Sequence, residues 1–258
     1  METIFYGQEK VVKELQLIAK ACRAEKNFNI MFSAPSGYGK TTLAMLFIEA
    51  KGLIFSSIGN PPNFSVDLSR RYLFLDEIHL LKTPTYLFSI MDSGDHTFIF
   101  ATNESGNVFE TLLNRCVLLE FSDYTDGEAA AIFLHNMEMK LPDYIIDMVL
   151  RVTSNNPRRI VNLSLRLKYL FNDYGIPDNA DSFSKLLFDI LDLDVNGYNS
   201  LQRRYLQYLE DIGGKGSLDT LTFGLKVNKE TLMRDVEPKL LKDKKIILTS
   251  KGRILVKK

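Results

Sequence analysis

The stretch "SAPSGYGKTTLAMLF", residues 33–47, follows a short apolar run and leads into an apolar segment with helical character. It differs by one letter from the phosphate-binding pattern G-x-x-x-x-G-K-[ST], because Ala34 stands at the first glycine position. A methyl group is tolerated there if the backbone angle φ stays negative. A strand before the loop and a helix after it favour a phosphate-binding loop over an ordinary turn. The nucleotide-binding residues predicted here are Pro35, Ser36, Gly37, Tyr38, Gly39, Lys40, Thr41 and Thr42.

Composition limits what this loop could belong to. The chain has 258 residues, of which 45% are hydrophobic and 25% charged. This length and composition allow a buried core and two or three domains. Lys plus Arg and Asp plus Glu both number 32, so attraction to nucleic acid must come from local patches. Two distant cysteines, Cys22 and Cys116, indicate a reducing compartment, and no leader-like or membrane-spanning run is seen. A cytoplasmic protein is expected.

The apolar pattern changes along the chain in an informative order. Five short runs, "NIMFSA", "GLIFSS", "RYLFLDE", "HTFIFATNE" and "CVLLEFS", have strand character and are separated by helical segments. Such alternation predicts an α/β fold with a parallel sheet covered on both faces. After about Asp123 the strands stop and successive helices are predicted, while the segment after Ser200 ends in a hairpin typical of a winged helix. The predicted domains are residues 1–122 (nucleotide-binding core), 123–190 (helical lid) and 191–258 (winged helix).

Polar side chains follow two of the predicted strands. Asp76 and Glu77 end the run "YLFLDE", and Asn103 ends "FIFATN". In ATPases of this layout the first acid holds magnesium and the second orients or deprotonates the attacking water, which Asn103 would help to position. Thr41 and Asp76 are therefore the predicted magnesium ligands. A solvated strand end is the alternative for the acids, and the phosphate loop upstream makes it less favourable.

These segments together carry a resemblance. "FYGQEKVVKELQLIAKA", "SAPSGYGKTTLA", "LFLDEIHLL" and "ATNESG" occur in the order of AAA+ ATPases, and within that class the chain resembles the RuvB family of Holliday-junction motors. The resemblance implies ATP and Mg²⁺ as cofactors, DNA as partner, and a homo-oligomeric ring or partial ring, for example a hexamer. "SNNPRRIVNL" resembles the lid motif whose arginine touches the nucleotide, which implies that role for Arg158. Tyr6 and Gln8 are the implied neighbours of the adenine.

One segment resembles a different branch of the class. "LLNRCVLLEF" is similar to the S-R-C motif of sliding-clamp loaders, which implies that Arg115 is an arginine finger acting on a neighbouring subunit. A surface ion pair is the alternative for this arginine.

The C-terminal segment has a local charge excess. Residues 238–258 contain eight basic residues and one acid, and this asymmetry suits a DNA phosphate backbone. The turn "SKGR" is the predicted wing tip, with Lys251 and Arg253 contacting DNA. A solvated basic tail without a partner is the alternative.

The predicted function is therefore that of an oligomeric RuvB-like AAA+ ATPase, bacterial or encoded by a phage, that couples ATP hydrolysis to DNA remodelling or translocation. A clamp-loader or helicase-loader type of ATP switch is the alternative. Four residues join Asp92 and Thr97, where the family inserts the hairpin that docks RuvA. This departure predicts that RuvA is an unlikely partner and that a different replication or recombination protein takes its place.

Overall fold

The computed structural model describes residues 5–21, 28–49, 56–58, 72–82 and 85–256. The chain divides into two compact units, of which the first comprises Met1–Leu141 with Asn155–Leu170 and the second Pro142–Ser154 with Phe171–Lys258. The predicted domain limits differ from this division and stay a prediction.

Helices and strands alternate in the first half of the chain, as predicted. The helices are α1 (Glu9–Ala21), α2 (Lys40–Glu49), α3 (Thr85–Ser93), α4 (Glu110–Leu113), α5 (Asp126–Met137), α6 (Asp143–Thr153), α7 (Pro157–Tyr174), α8 (Ala180–Leu191), α9 (Ser200–Asp211), α10 (Leu218–Leu225), α11 (Lys229–Thr231) and α12 (Glu237–Lys242). The strands are β1 (Asn29–Ser33), β2 (Ser56–Ile58), β3 (Tyr72–Leu75), β4 (Thr97–Thr102), β5 (Cys116–Glu120), β6 (Lys215–Gly216), β7 (Ile246–Thr249) and β8 (Gly252–Leu255).

The first unit is built on a parallel sheet, which confirms the predicted fold class. Its five strands lie in the order β2-β3-β4-β1-β5, and each described pairing is parallel. Every residue of β3 and β4 is buried, as expected for the central strands of a parallel sheet. The edge strand β5 is more exposed. Part of the predicted run "GLIFSS" lies outside the described residues, as does Cys22.

This strand order brings three carboxyl ends to one edge of the sheet. β1 leads into the phosphate loop, β3 ends before Asp76, and β4, which lies between them, ends before Asn103. Parallel strands present their carboxyl ends on the same side, and ligands of open α/β sheets bind there. Below this edge a buried cluster that includes Leu73, Phe98 and Phe100 fixes β3 and β4 against α3.

The second unit ends in the predicted winged helix. Helix α9 begins with a capping box between Asn199 and Gln202 and packs through Tyr205 and Leu209 against α10 and α12. Strands β7 and β8 pair in antiparallel fashion, and β6 adds to the outer side of β8. The segment between α11 and α12 is one turn of π-helix, residues 232–236. Among the described residues no helix is both long and apolar enough to span a membrane.

Candidate nucleotide site

The loop after β1 has the geometry of a phosphate cradle. Gly37 and Gly39 have φ values of 86° and 89°, a region that favours glycine. A Cβ at Gly39 would lie 3.0 Å from the Phe5 ring, so a side chain here would also be crowded. Ala34 lies at the buried end of β1, where its N–H donates to the carbonyl oxygen of Thr102 at 3.2 Å. The alanine at the first glycine position therefore belongs to the strand end and not to the tight part of the loop.

The lysine of the loop is buried beneath it. Lys40 Nζ donates to the carbonyl oxygens of Ala34 at 2.7 Å and Pro35 at 3.2 Å. Burial lowers the pKa of this ammonium group, while the nearby carboxylates of Glu77 and Asp76 raise it. The contacts hold the positive charge inside the cradle, where phosphate oxygens would meet it.

The first acid and the loop threonine are in direct contact. Thr41 Oγ1 donates to Asp76 Oδ2 at 2.8 Å, and Asp76 Oδ1 accepts the backbone N–H of Glu77 at 2.9 Å. The hydroxyl at the start of α2 and the carboxylate oxygen after β3 are hard oxygen ligands of the kind that Mg²⁺ binds together with phosphate oxygens. The residues present therefore fit a nucleotide-bound magnesium ion.

The second acid is held in an unusual backbone conformation. Glu77 has φ 50° and ψ 44°, in the left-handed region, and its side chain faces the cavity. Its Oε2 lies 3.5 Å from His79 Nδ1, which is also 3.2 Å from Thr102 Oγ1. A non-glycine residue in this region costs free energy that the surrounding fold must offset, and such positions cluster at functional sites.

A single cavity joins the loop, both acids and the start of α7. Arg158 lies on its rim, where Nη1 donates to Ser36 Oγ at 3.3 Å. The lining residues are Ser36, Gly37, Tyr38, Gly39, Lys40, Thr41, Thr42, Asp76, Glu77, Pro157, Arg158, Val161 and Asn162. Pro157, Val161 and Asn162 were not predicted, although their spacing from Arg158 on a helix could have indicated them.

Several residues that were predicted to belong to the site are not among those that line the cavity. Tyr6 packs its ring 5.5 Å from that of His135. Gln8 is buried, and its amide exchanges two hydrogen bonds with the backbone of Ser122, at 2.7 and 2.9 Å. This pairing fixes the N-terminal segment to the end of β5, so the Gln8 amide is not oriented toward the cavity. Pro35 contributes its carbonyl group to Lys40, and Asn103 is exposed just beyond β4.

The predicted finger residue is engaged within its own chain. Arg115 donates through Nε and Nη2 to the two carboxylate oxygens of Asp92, at 3.0 and 3.3 Å, and through Nη1 to the carbonyl of Thr111 at 3.0 Å. Its guanidinium carbon lies 4.5 Å from the centre of the Phe88 ring. Cys116 beside it is half-buried, and burial raises the pKa of its thiol to about 12, which disfavours the thiolate form.

The two predicted DNA-contacting residues differ in placement. Lys251 is exposed in the turn between β7 and β8. Arg253 instead forms a bidentate ion pair with the buried carboxylate of Glu237, at 2.7 and 3.0 Å, and Glu237 also accepts the Tyr205 hydroxyl at 2.9 Å. The structure does not support the prediction for Arg253, because its donors are directed into the winged helix.

Comparisons with known proteins identify similar chains. A family model described as the RuvB C-terminal winged helix domain matches residues 195–258. RuvB of Thermotoga maritima, named as a Holliday junction branch migration complex subunit, is 27% identical over 98% of this chain and 88% of its own length. RuvB of Mycoplasma pneumoniae is 26% identical, with 98% and 93% covered. The chain resembles RuvB along almost its whole length.

A solved structure extends this similarity to three dimensions. The T. maritima protein titled RuvB Holliday junction branch migration motor has a TM-score of 0.81 at 27% identity and covers 98% of this chain and 93% of its own. The predicted resemblance to RuvB, the fold class and the enzyme class of an ATPase are confirmed.

The prediction that RuvA is an unlikely partner is wrong. The similar proteins are named as subunits of a branch migration complex, and the similarity covers 98% of this chain. The prediction relied on the short connection between α3 and β4, where only residues 94–96 separate the two elements. Protein interfaces usually involve some twenty or more residues on each side, so the length of one turn does not exclude a partner.

Proposed function

We propose that this protein is an oligomeric AAA+ motor that couples ATP hydrolysis to remodelling of branched DNA. The observation that carries the proposal is the cavity in which Lys40, the Thr41–Asp76 pair, Glu77 and Arg158 converge. The similarity to RuvB supports the DNA-directed part of the proposal, because it extends through the winged helix. For the same reason we favour DNA remodelling over a loader-type switch.

Roles are proposed for the residues of the cavity that would meet the phosphates and the magnesium ion. Gly37, Gly39 and the start of α2 present backbone N–H groups to the phosphates, and Lys40 reaches the outer ones. Thr41 and Asp76 would hold the magnesium ion, which when bound would neutralise charge on the phosphate oxygens.

The acid next to the magnesium ligand acts on water. The Glu77 carboxylate lines the cavity one residue beyond Asp76, so it can orient a water molecule and accept its proton. His79 Nδ1 lies 3.5 Å from this carboxylate and 3.2 Å from Thr102 Oγ1 at the end of β4, one residue before Asn103. The neutral Asn103 amide is proposed to orient the same water.

Arg115 is proposed to act on the nucleotide of a neighbouring copy. Its present contact with Asp92 is a half-exposed pair, and such pairs contribute about 1 kcal/mol or less. A phosphate group offers the guanidinium the same bidentate geometry as this carboxylate, so Arg115 can exchange one partner for the other. Within one subunit, Arg158 serves the nucleotide held by the same chain.

The proposal is tested with purified protein and a synthetic four-way junction. We expect magnesium-dependent ATP hydrolysis that DNA stimulates, and junction conversion that requires ATP, measured with a RuvA protein in one arm and without it in another. Glu77→Gln should keep nucleotide binding and lose at least about 100-fold in hydrolysis, the usual effect of removing a general base. The isosteric control Glu104→Gln changes an exposed acid beyond Asn103 and should keep wild-type rates.

The assignment of Arg115 is tested by mixing subunits. Arg115→Ala and Lys40→Ala proteins should each be inactive, whereas their mixture should recover part of the activity, because some sites then combine an intact loop with an intact finger. Absence of recovery in mixtures whose co-assembly is demonstrated would contradict a role across the interface. Wild-type protein without nucleotide hydrolysis would contradict the whole proposal.

A further inference from the structure

We infer that Asn156 is a positioning residue, which orients the backbone donors of the phosphate loop from outside the cavity. The inference rests on the proposed function of the loop as a nucleotide site. Asn156 precedes Pro157, the first residue of α7, and it does not belong to the residues described as lining the cavity. Its side chain nevertheless reaches the loop, because Nδ2 donates to the carbonyl oxygen of Ser36 at 2.9 Å.

The same side chain is fixed by its own helix. Asn156 Oδ1 accepts the backbone N–H of Arg159 at 3.2 Å, and the Asn156 carbonyl accepts the N–H of Ile160 at 2.9 Å. This is the arrangement of an asparagine at the N-terminal cap of a helix. One end of the amide therefore caps α7 and the other end binds the loop, so the orientation of the amide is determined on both sides.

The contact to Ser36 sets the direction of a loop donor. A trans peptide is planar, with the carbonyl and the following N–H on opposite edges. Holding the Ser36 carbonyl toward Asn156 therefore turns the Gly37 N–H away from α7. The next peptide is held in the same way, because the Gly37 carbonyl accepts the backbone N–H of Arg158 at 3.2 Å, which turns the Tyr38 N–H away. These two N–H groups are among the donors that a phosphate loop offers to its ligand.

The fit between Asn156 and the loop is tight. A Cβ added at Gly37 would lie 2.6 Å from Asn156 Oδ1, so the loop backbone packs directly on this amide. The preceding residue, Asn155, has different partners. Its Nδ2 donates to Asp126 Oδ1 at 2.6 Å and to the Tyr124 carbonyl at 3.3 Å, so it stabilises the connection between β5 and α5 and does not contact the phosphate loop. Two adjacent asparagines therefore provide a matched pair of test and control.

Asn156 acts on binding and not on the chemical step. Its contacts are with Ser36, Gly37 and α7. Asp76 and Glu77, which would act in the chemical step, follow β3 and are not among these contacts. Loss of the amide should leave the loop donors free to rotate, so that binding a nucleotide must order them at an entropic cost. The dissociation constant and KM should rise together, and kcat should stay nearly constant.

The test uses Asn156→Ser in the full chain, with Asn155→Ser as control. Serine keeps a helix-capping oxygen but is too short to donate to Ser36, so the variant separates capping of α7 from the contact with the loop. Titration calorimetry with ATP and Mg²⁺ and with ADP should give an approximately tenfold higher dissociation constant, the effect of one well-placed hydrogen bond. Asn155→Ser should bind within twofold of wild type.

Hydrogen exchange of the nucleotide-free protein provides a readout that is independent of activity. The peptide covering residues 34–42 should exchange faster in Asn156→Ser than in wild type and Asn155→Ser. Wild-type affinity together with wild-type exchange in Asn156→Ser, or equal effects of the two variants, would overturn the inference. If the wild-type protein bound no nucleotide, the proposed function would be wrong, while the exchange experiment would still decide whether Asn156 orders the loop.

Discussion

Two basic residues, Lys40 in the phosphate loop and Arg253 in the wing, were both predicted to bind phosphate, and the structure gives them different partners. Lys40 Nζ contacts two carbonyl oxygens of its own loop and faces the cavity. Arg253 is neutralised by Glu237, whose side chain is only 3% exposed. The position of Lys40 is determined by the neighbouring residues of its own loop, so the motif predicts where the lysine lies. A count of basic residues does not reveal which of them have acidic partners.

The same lesson holds for other lysines of the C-terminal segment. Lys239 is buried, and its Nζ donates to Ser154 Oγ at 2.8 Å, while Lys242 Nζ donates to the Ser154 carbonyl at 3.3 Å. Ser154 is the C-terminal cap of α6, where cations are favoured by the helix dipole. These lysines therefore stabilise the second unit. Lys244 and Lys251 are exposed, and the last two lysines lie outside the described residues.

The largest effect is expected for Lys40, the lysine of the phosphate loop. Lys40→Ala should lower the affinity for nucleotide at least about 100-fold, so that binding is no longer measurable, because it removes the charge that meets the outer phosphates. Calorimetry with ATP and Mg²⁺ measures the change, and Lys20→Ala, an exposed lysine on α1, is the control. If Lys40→Ala bound nucleotide with wild-type affinity, the loop would not be the nucleotide site, and Lys40 and Arg253 would not differ in phosphate binding.

An intermediate effect is expected for the wing arginine. Arg253→Ala should lower the free energy of unfolding by about 3 kcal/mol, because it leaves the Glu237 carboxylate buried without its partner. Thermal or urea unfolding measures this change. The double variant Arg253→Met with Glu237→Gln should recover much of the loss, since no unpaired charge then remains. An Arg253→Ala protein that is as stable as wild type but binds DNA more weakly would make Arg253 a DNA contact after all.

The smallest effect is expected at the wing tip. Lys251→Ala should leave stability unchanged and weaken DNA binding up to about fivefold, the contribution of one exposed charge. The slope of log affinity against log salt should fall by about 1, because one phosphate contact is lost. Lys140→Ala, at another exposed lysine outside the winged helix, is the control in a fluorescence anisotropy titration over several salt concentrations. An unchanged salt slope would assign DNA binding to other residues.

The sequence alone predicted the phosphate loop, the acid pair and the order of elements. These features are local: the loop is read from eight consecutive positions, and the acids directly follow an apolar strand. The parallel sheet and the winged helix also followed from patterns along the chain, because alternation of strand and helix periods depends on neighbouring residues. Asn156 was missed because its role depends on a carbonyl group 120 residues away.

Only the tertiary structure decided which partners the long polar side chains take. Thr41 and Asp76 are 35 residues apart and Arg158 and Ser36 are 122 apart, yet both pairs are in contact. The same folding pairs Gln8 with Ser122 and Arg253 with Glu237. The reason is physical: a buried polar or charged group must find a partner, and the partner is whichever group the packing of distant segments brings within about 3 Å. The spacing of residues in the sequence determines which ligand a loop can bind. Tertiary packing determines which charged side chains remain available to contact a ligand.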